Sequence, residues 1–189
     1  MEKKREDRRS KYTRMIIKDS FLNLLKEKSY DKISVSQICK NSEITRTTFY
    51  LHYSNLDDVL LETLEEALEI SKISMNFEKS STNIFIDNDV IPLCQRTATN
   101  PKYNVLFLDP ILSDYIAKRL YAYEKKERIK QLQEAFKLTK FEAEKIYTFV
   151  FFGSFAVNKS LEWIKNDNWD KTQNLIKDFI KYGLLKKNL

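Results

Sequence analysis

The sequence predicts an all-α protein: a three-helix head carrying a helix-turn-helix, joined to a larger C-terminal helical domain, about nine helices in total. Three observations predict it. Of 189 residues, 2 are Gly and 3 are Pro, where average usage of about 7% and 5% would give roughly thirteen and nine. Left-handed turns, primed hairpins and phosphate-cradling loops draw on Gly, which argues against a β-rich fold, a dinucleotide-binding unit or a P-loop. Apolar residues recur at three- and four-residue spacing rather than in alternation, and capping residues divide the chain into helix-sized pieces. With 42% hydrophobic and 13% aromatic residues, the chain can fill a core.

The first helix spans Arg8 to Glu27, with Tyr12, Ile16, Phe21, Leu24 and Leu25 at helical spacing. Ser34 and Gln37 form a capping box that opens a short second helix through Asn41, with Val35 and Ile38 inward. After a break at 42–44, Thr45 caps a third helix to about Tyr53. Ser54, with Asp57 three residues on, caps a fourth, along which Leu56, Leu60, Leu64, Ala67 and Leu68 share a face. Residues 71–90 are polar and lose the register, as a loop, a helix end or an interrupted helix would. Asn100-Pro101 and Asp109-Pro110 each pair a capping side chain with a Pro where no amide donor is needed, and Pro92 starts or kinks another helix, which places helices near 88–99, 101–108 and 110–133. Thr139 and Glu142 box a long helix to about Asn166, and Asp170 caps the last, to about Lys187.

Charge divides the chain differently from its total of +6. Residues 1–53 hold 13 basic and 7 acidic side chains, whereas 54–189 hold 20 of each, so the whole excess lies in the head. The charge boundary therefore separates a basic N-terminal unit, residues 1–53, from a neutral body, residues 54–189. A basic head on a neutral body fits a polyanionic partner, although a charge run is often only a solvated face.

The second and third helices have the lengths and the short joint of a helix-turn-helix, whose second helix enters the major groove by its N-terminal residues. Here these are Thr45, Arg46, Thr47 and Thr48. Hydroxyls can bond phosphates or bases, a Thr methyl can meet a thymine methyl, and Arg can fork onto guanine. Phe49, Tyr53 and Ile44 form the inward face, while Tyr50 and His52 fall outward, within reach of phosphate oxygens. A lone His is more often an ordinary surface residue; its place in this cluster is what singles out His52.

The run Ile33 to Asp58 (ISVSQICKNSEITRTTFYLHYSNLDD) resembles the DNA-binding signature of the TetR/AcrR family of bacterial transcriptional regulators. In that signature a helix-turn-helix ends in a Thr-Phe-Tyr-x-His-Phe-like stretch before a Ser-capped helix. The resemblance covers roughly the first 60 residues. It implies that Ser36, Thr45, Arg46, Thr47 and Thr48 approach DNA, that Tyr50 and His52 contact phosphate, and that Leu51 can touch a base methyl. Two positions depart from it. Glu43 stands where the turn often has Gly, which requires either a turn without a left-handed residue or some strain. Leu56 stands where a phosphate-contacting Lys often opens the fourth helix, and the basic arm of Lys3, Lys4, Arg5, Arg8, Arg9 and Lys11 is available in its place.

In the body, Ile146 to Ile164 is apolar around nearly its whole circumference and the last helix repeats the excess, so both need cover on more than one side. Either a thick single-chain core or a four-helix two-fold interface supplies it. The resemblance implies the second, and we assign Phe152, Phe155, Ala156, Lys159, Trp163, Leu175, Phe179 and Tyr182 to a homodimer interface. Abundant aromatics leave room for a small apolar or amphipathic effector whose contacts the sequence does not identify.

One His, no Gly-rich loop, no metal-ligand spacing and no nucleophile motif give no reason to expect an enzyme, a metal or a cofactor. Cys39 and Cys94 form no spaced motif and are read as free core thiols; with no signal-like or membrane-spanning stretch, the expected setting is cytoplasmic. The function expected is a DNA-binding transcriptional regulator, a homodimeric repressor of operator DNA released by an effector. The alternative is a helical module that binds a protein partner or an anionic surface without reading sequence.

Overall fold

The computed structural model describes residues 8–73, 85 and 92–185. They form nine α-helices and one 3-10 turn, with no strand among the described residues, which matches the expected all-α class. The chain divides after Ile70 into two compact units, each taken by itself below.

In the N-terminal unit, α1 (Arg8–Glu27) buries Ile17, Phe21, Leu24 and Leu25, and a 3-10 turn follows at Tyr30–Lys32. Helix α2 (Val35–Asn41) starts on the expected capping box: Ser34 Oγ accepts from Gln37 N–H at 3.4 Å, and Gln37 Oε1 accepts from Ser34 N–H at 3.0 Å. Helix α3 (Arg46–Tyr50) is shorter than the span to Tyr53, because the chain turns at 51–52 to bury Tyr53 beside the fully buried Phe49. Helix α4 (Leu56–Ile73) is capped one residue later than expected. Asn55 Oδ1 accepts from Asp58 N–H at 2.9 Å, and the Asp58 carboxylate accepts from Ser54 N–H at 2.8 Å. Asp57, thus released, accepts from the Tyr30 hydroxyl and ties α4 to the 3-10 turn.

The C-terminal unit contains α5 (Leu93–Ala98), α6 (Asn104–Leu108), α7 (Pro110–Phe136), α8 (Lys140–Ser160) and α9 (Asp167–Leu185). Asn100-Pro101 makes a turn rather than a helix start: Asn100 Oδ1 accepts from Lys102 N–H at 3.0 Å, and α6 begins only at Asn104. Asp109-Pro110 does start a helix, with Asp109 Oδ1 accepting from Ile111 and Leu112 at 2.9 Å each. The Thr139–Glu142 capping box opens α8 as expected. That helix stops at Ser160, short of Asn166, in a Schellman ending: Glu162 N–H meets Lys159 O at 3.0 Å and Trp163 N–H meets Asn158 O at 3.2 Å. Glu162 and Trp163 are left-handed, with φ of 51° and 57°. The turn swings Trp163 inward, its ring 5.1 Å from Phe155 and 5.4 Å from Phe107, and burial of the indole offsets the backbone cost. Asn166, whose Oδ1 accepts from Trp169 N–H at 3.0 Å, opens α9 ahead of the expected cap at Asp170. Most of the 71–90 stretch lies outside the described residues.

Candidate nucleic-acid interface

The joint between α2 and α3 is also a Schellman ending. Glu43 N–H meets Lys40 O at 3.3 Å and Ile44 N–H meets Cys39 O at 3.0 Å, which places Glu43 at the left-handed position with φ 53°. The strained alternative is thus the one adopted. Thr45 then adopts extended backbone and caps α3, its Oγ1 accepting from Thr48 N–H at 3.0 Å and lying 2.9 Å from Thr48 Oγ1.

This geometry separates the two sides of α3. Phe49 and Tyr53 are buried, their rings 5.9 Å apart, and fix the helix to the core. On the other side, Ser36, Thr45, Arg46, Thr47, Tyr50 and Leu51 are exposed, and Thr48 and His52 are half-buried. Arg46 donates to the Ser36 hydroxyl, so the first turns of α2 and α3 meet through these two side chains. Tyr50 stands edge-on to Phe49 at 5.4 Å, which orients its phenol outward. Of the basic arm, Arg8, Arg9 and Lys11 are exposed on the first turns of α1; Lys3, Lys4 and Arg5 lie outside the described residues.

Sequence reasoning missed the lock beneath this surface. Arg14 and Lys18 on α1 face Glu62 and Glu66 on α4: Arg14 pairs with Glu62, Lys18 with Glu66, and Lys18 also with Glu62 at 3.3 Å. The Arg14 guanidinium lies 5.1 Å from the Tyr53 ring centroid. Against the burial that opposes its charge, Glu62 and Tyr53 hold the Arg14 pKa above its ordinary value. Burial, then Glu62, push the Tyr53 phenol upward, so it stays neutral. The matching four-residue spacings of 14/18 and 62/66 are the signal that could have disclosed the lock. Cys39 is buried as expected, its thiol pushed up by burial against the influence of Arg46.

In the C-terminal unit, the residues assigned to a homodimer interface separate into two groups. Phe155 and Trp163 are buried in the chain's own core. Phe152, Ala156, Leu175, Phe179 and Tyr182 are exposed, joined by Phe149, and Lys159 pairs with Asp114 at 3.5 Å. A cavity of about 90 Å³ lies between α8 and α9, with α5 and α7 completing its wall; its lining includes Tyr147, Phe151, Asn158 and Gln173. Among the described residues no helix is long and apolar enough to cross a membrane, and no group of three or more His, Cys, Asp or Glu is placed to hold a metal ion.

Two curated proteins resemble part of this chain. A stretch of 65 residues, 34% of the chain, is 38% identical to the uncharacterized HTH-type transcriptional regulator YxbF of Bacillus subtilis (strain 168), of which it covers 17%. A stretch of 59 residues, 31% of the chain, is 32% identical to an uncharacterized HTH-type transcriptional regulator of Haemophilus influenzae, of which it covers 29%. The chain thus matches less than a third of the length of either relative. No family model matches the chain, and no solved structure matches it.

Proposed function

We propose that this chain is a DNA-binding transcriptional regulator of the TetR/AcrR type, a homodimeric repressor that an effector releases from its operator. The observation that carries the reading is the two-sided α3: Phe49 and Tyr53 buried below, and Thr45, Arg46, Thr47, Tyr50 and Leu51 exposed above, with Ser36 and Arg46 joined across the turn. In a major groove, Arg46 reads a guanine edge, Thr47 and Leu51 meet base methyls, and Tyr50 and His52 bond phosphates. The partial likeness to two HTH-type transcriptional regulators supports the same reading.

Dimerisation is supported by the exposed apolar stripes on α8 (Phe149, Phe152, Ala156) and α9 (Leu175, Phe179, Tyr182). A two-fold pair presents two reading heads to two half-sites. An effector in the C-terminal unit then shifts the population between spacings that fit the DNA and spacings that do not.

Fluorescence anisotropy on DNA from the gene's own upstream region, at several salt concentrations, tests the reading. Each phosphate neutralised contributes about −0.9 to the slope of log affinity against log salt. A slope near zero, or equal affinity for scrambled DNA, rejects it.

A further inference from the structure

The cavity of the C-terminal unit is long and narrow. Its lining follows one face of α8 through Tyr147, Val150, Phe151, Ser154 and Asn158. From Tyr147 to Asn158 the helix rises about 16 Å. A volume of about 90 Å³ spread along such a wall suits an unbranched chain. Its middle is apolar, walled by Val150, Phe151, Ile176 and Ile180.

Each end holds a donor without an acceptor. At one end Gln95 Nε2 donates to Gln173 Oε1 at 2.6 Å, and Gln173 Nε2 donates to Asn158 Oδ1 at 2.6 Å. This relay occupies the Asn158 carbonyl and leaves its Nδ2 buried without a partner. At the other end the Tyr147 hydroxyl is likewise buried and unpartnered, on a side chain only 2% exposed. Burial, then Glu124, push the Tyr147 phenol upward, so the hydroxyl keeps its proton. A buried donor left without an acceptor costs about 1–3 kcal/mol, which favours a ligand that supplies one.

Glu124 decides the charge of what the Tyr147 end accepts. Its carboxylate lines the cavity beside that hydroxyl and accepts from Arg128 Nη2 at 2.6 Å. The ion pair is neutral as a unit. An anionic head would meet the Glu124 charge, and a cationic head would meet a carboxylate that Arg128 already offsets, so either ion would leave water without a net counter-charge. A carboxylate accepts at about four lone-pair sites, so Glu124 keeps room for a further donor. Tyr147 and Glu124 thus present a donor and an acceptor side by side, and a hydroxyl group answers both.

We infer that this cavity binds a neutral, unbranched alcohol, its hydroxyl accepting from Tyr147 and donating to Glu124 and its chain lying along Phe151, Ile176 and Ile180. The inference rests on the reading that the C-terminal unit takes an effector, and it names the chemical class. A second oxygen at the far end of such a chain would accept from Asn158 Nδ2.

The test uses the full chain and four probes of similar length, 1-octanol, heptyl methyl ether, octanoate and octylammonium, followed by thermal shift and titration calorimetry. Octanol is expected to raise the melting temperature and to bind at least tenfold more tightly than either ion, with the ether, which cannot donate to Glu124, in between. Tyr147→Phe should reduce octanol affinity about tenfold without lowering the melting temperature of the unliganded chain, because it removes an unpartnered hydroxyl. Glu124→Gln leaves Arg128 without its counter-ion and should turn the preference from octanol toward octanoate. Equal binding of all four probes, preference of the original chain for either ion, or no binding of any probe overturns the inference; preference for octanoate would mean that Lys181, rather than the Glu124–Arg128 pair, sets the charge of the head. Operator affinity with and without each probe is a separate readout. Octanol bound with DNA affinity unmoved upholds the cavity chemistry and rejects effector release, whereas octanoate bound with DNA affinity changed upholds effector release and rejects the neutral class.

Discussion

Arg46, in the first turn of α3, donates to the hydroxyl of Ser36, in the first turn of α2. A long, exposed side chain that would otherwise sample many rotamers is thereby held at the mouth of the helix pair, lowering the entropy lost when it engages a base. Ser36→Ala is expected to reduce operator affinity two- to fivefold while retaining sequence preference. Arg46→Ala should cost about 1–3 kcal/mol of discrimination at one base pair, as a lost bidentate contact does. Anisotropy on operator and single-base variants checks both; equal losses on every sequence would show that Arg46 contacts phosphate rather than a base.

The turn between those helices uses backbone that suits Gly, yet Glu43 occupies it at φ 53°, while both glycines of the chain, Gly153 and Gly183, sit inside helices. A left-handed non-Gly residue costs about 1–2 kcal/mol, and Gly returns part of that through unfolded-state entropy. Glu43→Gly should therefore stabilise the protein by roughly 0.5–1 kcal/mol. Gly183→Ala should stabilise it comparably, since an added Cβ meets nothing within 4 Å. Urea midpoints at constant m-value measure both.

These same residues show what was legible in the sequence. Ser34 with Gln37, Thr139 with Glu142, and Thr45 cap their helices as expected, because a cap is a local side-chain-to-backbone bond within three residues. Ser54 and Asp170 were displaced by Asn55 and Asn166, where a second competent cap stands nearby and tertiary packing selects the register. The early end of α8 depends on Trp163 meeting Phe107, more than fifty residues away, which no local pattern encodes. Periodicity likewise cannot separate apolar surface buried within the chain, as at Phe155, from surface left outside, as at Phe149. Of the candidate interface, residue types and sidedness were legible; the Ser36–Arg46 bond and the Arg14–Glu62 lock required coordinates.

Cys94 gives a pH dependence. Burial, followed by the nearby Glu124, pushes its thiol up to about 12 from an ordinary value of 9.0. The folded state therefore holds the proton where the unfolded state releases it. Its contribution to stability is complete below pH 9 and is lost as pH rises from about 9 toward 12. Urea midpoints should fall over that window, less steeply in Cys94→Ala. At pH 8, iodoacetamide should leave Cys94 unmodified in the native protein and alkylate it in urea.

The exposed stripe on α9 tests the proposed assembly. Leu175, Phe179 and Tyr182 are 71%, 66% and 65% exposed in the single chain, so a charge there disturbs no intramolecular packing. Phe179→Glu alone should leave the urea midpoint of the monomer within about 0.5 kcal/mol of its original stability, as surface changes do. In a two-fold interface the same residue meets its symmetry region on the partner, and two buried carboxylates without counter-ions oppose association. Sedimentation velocity should then show a dimer for the original chain and a monomer for Phe179→Glu, with operator affinity falling as the paired heads separate. Phe155→Ala is the contrasting change: its ring is 4% exposed within the chain, and its loss should cost about 3–5 kcal/mol of fold stability. An original chain that sediments as a monomer at micromolar concentration would reject the two-fold arrangement and leave the exposed stripe to another partner.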